Sequence, residues 1–245
     1  MKKLITTCLV LSLMSAIGTS QATPIDLGTA ADFAILGGSG VSNTGSSTFT
    51  GDVGSWPTPA IVGITDEMVN GTLYLAADPA TEQAHTDLIA AYTVAQTAAG
   101  GVVGPADLGG AILTPGVYIY TSAASWTAGN LTLDALGDSS AQWIFQIGST
   151  LITPGGVMVS LINGASAGNV FWQVGSSATI GGTNTFAGNI LAQTSIDLGG
   201  GTLTGRALAI DGAVTISVAE NVVIPEPATI ALLSIGVLSL IRRKK

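Results

Sequence analysis

Few side chains in the central part of the sequence, residues 23–224, are suited to catalysis. This segment contains no lysine, one arginine (Arg206) and one histidine (His85), and its acidic residues are scattered. A polysaccharide lyase needs a basic side chain as general base, and a glycosidase needs two carboxylates about 5–9.5 Å apart. A zinc site needs closely spaced His or Cys, and a calcium loop needs a dense run of Asp. We therefore expect no enzyme activity, no metal site and no cofactor.

Threonine is the residue type whose spacing could form a functional surface. If Phe186 and Leu203 point into a core, alternation along a strand places the neighbouring threonines outward, and the same holds around Phe49. Stacked strands would repeat such side chains every ~4.7–4.9 Å across the strands and every ~6.6 Å along them. An uncharged grid of hydroxyl and methyl groups can order water into an ice-like arrangement; alternatively, threonine simply favours exposed strands. The candidates are Thr48, Thr50, Thr183, Thr185, Thr202 and Thr204.

Short strands are the elements that would position these threonines. The segment Asn184–Ala192 resembles Gly201–Ala209 at an offset of 17 residues, and Ser47–Ser55 resembles both. A repeat of about 17–19 residues fits one coil of a β-helix, in which three short strands stack on the next coil. We therefore predict a mainly β fold, an irregular β-solenoid, rather than a sandwich or barrel. Predicted strands include Val117–Tyr120, Leu131–Leu133, Trp143–Ile147, Val157–Ile162, Val170–Val174 and Val214–Val218.

One segment has helical rather than β periodicity. Asp78 is a suitable N-cap, and Pro79 suits the first helical position. Apolar residues then recur at helical spacing until Gly100-Gly101 ends the run. We predict one helix over about residues 79–99, with its apolar stripe against one flank of the solenoid. The stripe consists of Ala84, Leu88, Ala91, Tyr92 and Ala95.

The N-terminal end has the composition of an export signal. Met1-Lys2-Lys3 precedes an apolar stretch, and Ser20-Gln21-Ala22 has the small-x-small pattern of a signal-peptidase site. We predict a signal peptide over residues 1–22, removed by signal peptidase. Cys8, the only cysteine, lies in this segment, so the mature chain would have neither disulfides nor a reactive thiol.

The C-terminal end, residues 225–245, resembles the PEP-CTERM sorting signal of Gram-negative bacteria. Pro225, Glu226 and Pro227 precede the uncharged, mostly apolar stretch 228–241, and a basic tail of two arginines and two lysines follows. The resemblance implies a transient inner-membrane tether through 228–241 and cleavage near the motif by an exosortase. It also implies a place at the cell surface or in an exopolysaccharide matrix. An ordinary terminal membrane anchor is the alternative.

Seven segments of the central part resemble the bacterial and fungal ice-binding proteins, and they occur in the order found in that family. This resemblance implies a right-handed β-helix of triangular section, with a long α-helix beside it and N-terminal strands that complete the C-terminal coils. Thr127-Ala128-Gly129-Asn130 also fits a pattern on the binding face of some members, which adds Thr127 and Asn130 to the candidates. The segments are Ala30–Leu36, Ser39–Gly45, Leu113–Tyr118, Ile144–Thr150, Leu161–Ala165, Asn169–Thr179 and Gly205–Ala209.

Together these patterns predict a secreted protein that adsorbs to ice through a flat, Thr-rich solenoid face and inhibits ice growth and recrystallisation. The alternative is a structural or adhesive protein of the cell surface or exopolysaccharide matrix on the same fold. Residues 23–224 carry fourteen acidic side chains against one basic side chain, a net charge of −13. This charge repels phosphate, so we expect no nucleic-acid partner. The expected partners are ice or ordered water and, during export, signal peptidase and exosortase.

Overall fold

The computed structural model describes residues 24–225, which fold mainly as parallel β-strands with one α-helix, as predicted. Residues 1–23, which include the predicted signal peptide, and residues 226–245 lie outside the described residues. The strands are β1 Phe33–Gly37, β2 Gly40–Asn43, β3 Thr48–Thr50, β4 Asp52–Ser55, β5 Ile61–Val62, β6 Val69–Asn70, β7 Val102–Val103, β8 Ile112–Leu113, β9 Gly116–Tyr120, β10 Leu131–Asp134, β11 Trp143–Ile147, β12 Leu151–Thr153, β13 Val159–Ile162, β14 Val170–Val174, β15 Ala178–Ile180, β16 Asn184–Ala192, β17 Ile196–Leu198, β18 Gly201–Ala209, β19 Ala213–Ile216 and β20 Glu220–Val223.

The strands pair in sheets of eleven, six and three strands, and the eleven-stranded sheet has two parts, which we call the helix-side sheet and the third sheet. The helix-side sheet contains β7, β9, β11, β14, the second halves of β16 and β18, then β1 and β4. The six-stranded sheet has the order β12-β15-β17-β19-β2-β5. The third sheet contains the first halves of β16 and β18 followed by β20, β3 and β6. A bridge from Met158 to Thr185 links it to the short sheet β13-β10-β8.

From β14 to β20, and again from β1 to β6, the chain visits the helix-side sheet, the six-stranded sheet and the third sheet in turn, and in the coils before β14 the short sheet β13-β10-β8 takes the place of the third. The two nine-residue strands β16 and β18 pair residue for residue from Asn184–Gly201 to Ala192–Ala209, which is the repeat seen in the sequence. Gly188 and Gly205 pair midway along these strands, with φ of 117° and 152°. This backbone conformation suits glycine and lets one strand pass from the third sheet to the helix-side sheet.

The N-terminal segment continues the stack beyond the C-terminal coils. β1 pairs with β18, β2 with β19, and β3 with β20, all in parallel. The resemblance in the sequence implied this discontinuous order. After β6 the chain enters helix α1 and resumes at β7, the opposite edge of the helix-side sheet.

Helix α1 spans Pro79–Thr97, two residues shorter than predicted, and covers the helix-side sheet. The Asp78 side chain accepts a hydrogen bond of 2.8 Å from the Ala80 N–H and so caps the first turn. All five stripe residues are buried. They pack on outward side chains of the sheet, so this sheet is buried on both sides. These side chains are Val117, Ile144, Phe171, Leu191 and Leu208.

The inward side chains form a continuous core with a stack of aromatic rings. The Phe145 and Trp172 ring centroids are 4.0 Å apart with nearly parallel planes, and Trp172 and Phe186 are 5.1 Å apart. The predicted strands Trp143–Ile147 and Val170–Val174 match the observed bounds. The predicted strand Val214–Val218 ends earlier than expected, because β19 stops at Ile216 and Val218 beyond it is 55% exposed.

Candidate functional site: two uncovered sheet faces

The third sheet brings three of the predicted threonines into one row, together with Asn221, which was not predicted. Thr185 pairs with Thr202, which lies opposite Asn221 by way of the β18–β20 pairing, and Asn221 pairs with Thr48. We call Thr185, Thr202, Asn221 and Thr48 the threonine column. Neighbouring members lie one strand spacing apart, about 4.8 Å.

The core residues between these side chains point inward as expected, so the column faces outward. Phe186, Leu203 and Phe49 are each 1% exposed, whereas Thr185 and Thr48 are exposed. The Thr48 hydroxyl donates a hydrogen bond of 2.7 Å to the Asn221 side-chain oxygen. None of the four side chains carries a charge.

The next outward row of the third sheet is only partly accessible. Thr204 and Thr50 are half-buried, and between them the row contains Val223. Alternation from the inward Phe186 predicts that Ala187, which pairs with Thr204, points outward, but Ala187 is buried where the 3₁₀ helix Ala167–Asn169 packs on β16. Within the threonine column Thr202 is also half-buried, so the column lies on a narrow face with three exposed members.

Three other predicted residues lie outside this arrangement. Thr183 was expected in the strand but occupies the preceding turn, where its φ is 60° and its hydroxyl donates to the Gly182 carbonyl. The Thr127 hydroxyl donates to the Asp107 carboxylate, which links it to a charged group. Hydrogen bonds from the Thr127 hydroxyl, and then from the Gly109 and Thr127 N–H groups, lower the pKa of Asp107.

Asn130 lies closer to the threonine column than Thr127 does. Its side-chain oxygen accepts a hydrogen bond of 3.0 Å from the N–H of Met158, and Met158 bridges to Thr185. Met158 is 39% exposed, so an apolar side chain separates Asn130 from the first threonine of the column. Of the predicted sorting motif, only Pro225 is among the described residues.

The six-stranded sheet has a broader and more regular outer face. Its strands pair in register without interruption from β12 to β5. Inward residues such as Ile196 and Val214 are fully buried, so the intervening residues face solvent. The central outward row is Ile152, Thr179, Asp197, Thr215, Ser42 and Val62.

Small side chains flank the middle of this central row, and its exposed aliphatic residues, Ile152 and Val62, lie at the two ends. On one side lie Ser177 and Ser195, and on the other Gly181, Gly199 and Ser217. The one carboxylate in the row, Asp197, accepts a hydrogen bond of 2.8 Å from the Ser217 hydroxyl. The sequence analysis did not single out this face. The alternation of Thr215 and Ser217 with Val214 and Ile216 was the signal that could have found it.

The two side chains with catalytic potential have structural partners. The Arg206 guanidinium, 8% exposed, donates to the Ala31 carbonyl and, at 2.8 Å, to the Asn189 side-chain oxygen. Burial lowers the pKa of Arg206 to about 10, an effect that Asp32 partly offsets. A ring nitrogen of His85 lies 2.8 Å from the Ile210 carbonyl oxygen. Within residues 24–225, no three His, Cys, Asp or Glu side chains gather into a group that could hold a metal ion.

A profile for ice-binding-like proteins matches residues 35–223 of this sequence. The chain belongs to the ice-binding-like family. A protein of this family from Nostoc sp. (strain HG1), named an ice-binding protein, is 44% identical over 230 residues, which cover 88% of this chain and 84% of the relative. The ice-binding protein of Flavobacterium frigoris (strain PS1) is 36% identical over 217 residues, 82% of this chain and 77% of the relative.

Solved structures of the ice-binding-like family share the fold. The crystal structure of an ice-binding protein from an Antarctic biological consortium has a TM-score of 0.80 at 44% identity and covers 85% of this chain and 94% of its own. The crystal structure of the ice-binding protein from the Antarctic ascomycete Antarctomyces psychrotrophicus has a TM-score of 0.74 at 34% identity. The match covers 84% of this chain and 100% of that one. A profile for the PEP-CTERM protein-sorting motif matches residues 223–245. No helix among residues 24–225 is long and apolar enough to cross a membrane.

Proposed function

We propose that this protein adsorbs to ice, inhibits ice growth and recrystallisation, and performs no covalent chemistry. The observation that carries the proposal is the uncovered face of the six-stranded sheet, where six strands in register present a row with three hydroxyl side chains, two aliphatic side chains and one carboxylate. Two family members that this chain resembles over most of its length are named ice-binding proteins, which supports the same function.

The face has the geometry that adsorption to a crystal plane requires. The outward side chains repeat every ~4.7–4.9 Å across the strands and every ~6.6 Å along each strand. Rigid parallel strands hold this spacing because the backbone of each interior strand pairs on both sides. The hydroxyl groups of Thr179, Thr215 and Ser42 hydrogen-bond to ordered water, while water beside the methyl groups of Thr179 and Ile152 makes no hydrogen bond to the protein. Rearranging this water into an ice-like order costs less free energy than rearranging the tightly held hydration shell of a charge.

The threonine column is the second candidate surface. Its four side chains are uncharged, whereas Asp197 interrupts the six-stranded face. Thr185, Thr202 and Thr48 with Asn221 span four coils, and Thr204 and Thr50 extend the row behind them. We propose that this column, with Asn130 beyond Met158 and Thr183 and Thr127 at the turns nearby, forms a smaller ice contact on a separate face.

The same proposal includes the finer architecture and the fate of the chain. We infer a right-handed coil of triangular section, supported by the three sheets that the chain visits in turn. Residues 1–22 act as the signal peptide, 23–224 as the ice-binding body and 225–245 as the sorting segment. The sorting-motif match supports export, and the proposed final place is the cell surface or the surrounding matrix of a Gram-negative bacterium, after processing by signal peptidase and exosortase.

Paired Thr→Tyr substitutions test the function and the face together. Tyrosine keeps a hydroxyl group but projects a ring that prevents a flat contact. We expect Thr179→Tyr with Thr215→Tyr to abolish ice-recrystallisation inhibition, and Thr185→Tyr with Thr202→Tyr to reduce it. The matched control is Thr86→Tyr with Thr93→Tyr on the exposed side of helix α1, which keeps full activity. Circular dichroism and thermal melts confirm that each variant is folded.

The outcomes separate the competing interpretations. Loss of activity only in the Thr185–Thr202 pair would transfer the primary contact to the threonine column. No ice shaping or recrystallisation inhibition by the folded parent protein would contradict ice adsorption. It would instead favour the structural or adhesive role at the cell surface or on exopolysaccharide.

A further inference from the structure

The described chain leaves the fold at a defined edge. β20 ends at Val223, the Ile224 N–H donates to the Thr50 carbonyl at 3.2 Å, and Ile224 still packs on the core. Pro225 then lies beside Gly168, where a Cβ built on the glycine would be 3.8 Å from the Cβ of Pro225. The fold therefore holds the chain up to the first residue of the sorting motif, with no spacer between them.

The connections from the third sheet to the helix-side sheet form this edge, which we call the exit edge. Gly168 belongs to the 3₁₀ helix Ala167–Asn169, which joins β13 to β14 of the helix-side sheet. β13 lies in the short sheet that the Met158–Thr185 bridge links to the third sheet. The Asn169 side chain donates to the Ser139 carbonyl at 3.2 Å, and Ser139 lies in the equivalent connection from β10 to β11. The chain enters the six-stranded sheet only after the helix-side sheet. Of the three boundaries between sheets, the exit edge is thus the one that the six-stranded sheet does not touch.

The sequence beyond Pro225 leaves little freedom between this edge and a membrane. The uncharged, mostly apolar stretch begins at Ala228, three residues later, a reach of at most about 10 Å. Burying its apolar side chains in a bilayer is favourable, and the basic residues 242–245 are attracted to anionic headgroups.

We propose that, while residues 228–241 are held in a lipid bilayer, the exit edge lies against the membrane surface and the six-stranded face points away from it. The short tether imposes this orientation because it holds the exit edge close to the bilayer. No other face competes for the membrane, since residues 23–224 are strongly acidic and have no attraction of their own for an anionic surface. The orientation itself is independent of ice. Its consequence, that a tethered molecule presents its broad face to ice outside the cell, rests on the proposed function.

Cysteine accessibility on vesicles tests the orientation. The chain without its predicted signal peptide, residues 23–245 and therefore without Cys8, receives either Ser139→Cys at the exit edge or Thr179→Cys on the six-stranded face; both parent side chains are exposed. Each variant is bound to phosphatidylcholine vesicles with a minor fraction of phosphatidylglycerol and labelled with a bulky polymer maleimide. We expect vesicles to slow labelling of Ser139→Cys by about fivefold or more and to leave Thr179→Cys nearly unchanged, because a tether of about 10 Å excludes the polymer only at the edge.

A spacer provides the matched control. Inserting about eight Gly and Ser residues between Pro225 and Glu226 lets the body move away from the bilayer, so labelling of Ser139→Cys returns to its rate without vesicles while vesicle binding persists. Equal labelling at both sites in the unmodified chain, slower labelling at Thr179→Cys, or no vesicle binding would each overturn the orientation. Because no ice enters this measurement, its failure is distinguishable from failure of the proposed function.

Discussion

Glu220 provides a quantitative test of the packing at the start of β20. This glutamate is 6% exposed and pairs across the third sheet with Gly201. Burial raises the pKa of Glu220 from its ordinary value of 4.5 to about 7, and a hydrogen bond from the Gly200 backbone N–H only partly offsets this effect. The folded protein therefore binds a proton at Glu220 that the unfolded chain releases between these two pH values.

The sign and size of the effect follow from this difference. Because the folded state holds the proton more tightly, its contribution to stability is complete below pH 4.5 and is lost as pH rises through about 7. Each pKa unit corresponds to ~1.36 kcal/mol, so the free energy of unfolding should fall by about 2–3 kcal/mol from pH 4.5 to pH 8. Glu220→Gln stays neutral and keeps an acceptor for the Gly200 N–H. The variant should therefore be about 2–3 kcal/mol more stable than the parent at pH 8 and similar to it at pH 4.5.

Urea denaturation of the parent and variant between pH 4.5 and pH 9 measures both curves. The control is Glu67→Gln: Glu67 is exposed, and hydrogen bonds from the Thr65 hydroxyl and from its own backbone N–H lower its pKa, so this substitution should leave the slope above pH 5 unchanged. If the parent and Glu220→Gln show the same dependence on pH over this range, Glu220 is not a buried carboxyl group and the packing described for this part of the sheet is wrong.

Four further predictions concern the fold. Gly205→Ala should destabilise the protein by about 3 kcal/mol or more in denaturant titrations, because the new Cβ would lie 1.9 Å from the Gly188 carbonyl oxygen. A change under about 1 kcal/mol would contradict the close approach of the two strands where they pass between the sheets. Arg206→Met should lower the free energy of unfolding by about 2–4 kcal/mol, because it leaves the Ala31 carbonyl and the Asn189 side-chain oxygen without their donor. Unchanged stability would show that these hydrogen bonds do not stabilise the fold. Asp78→Ala should cost about 1 kcal/mol through loss of the helix cap, whereas an effect of zero would show that the helix needs no cap. Adding a chelator should leave the thermal melt unchanged, and a large fall in Tm would reveal a metal site.

Periodicity in the sequence predicted much of the fold. The offset of 17 residues between Asn184–Ala192 and Gly201–Ala209 predicted two strands one above the other, and they pair over all nine positions. Alternation also predicted that Phe186 and Leu203 point inward. Both succeed because a parallel coil places equal sequence positions at equal positions in space, so the repeat itself specifies the register.

Which surface is open does not follow from alternation. Ala187 alternates outward but is covered by the 3₁₀ helix Ala167–Asn169, and Thr183 lies in a turn because its φ of 60° ends the extended run. Both departures come from contacts or turns that the periodic pattern does not encode. Thr127 likewise fits a short motif, but its partner is Asp107, twenty residues earlier in the chain.

The sequence by itself determined the mainly β fold, the helix with its cap at Asp78, the repeat of the coils and the family, because these depend on local propensity and on the spacing of similar residues. Only the tertiary structure decided which faces are available to a ligand. Helix α1 covers the helix-side sheet, and the 3₁₀ helix Ala167–Asn169 narrows the third, so the six-stranded sheet keeps the broadest open face. The physical reason is that exposure depends on which distant segments pack on a sheet, and such packing is a property of the whole stack rather than of any one strand.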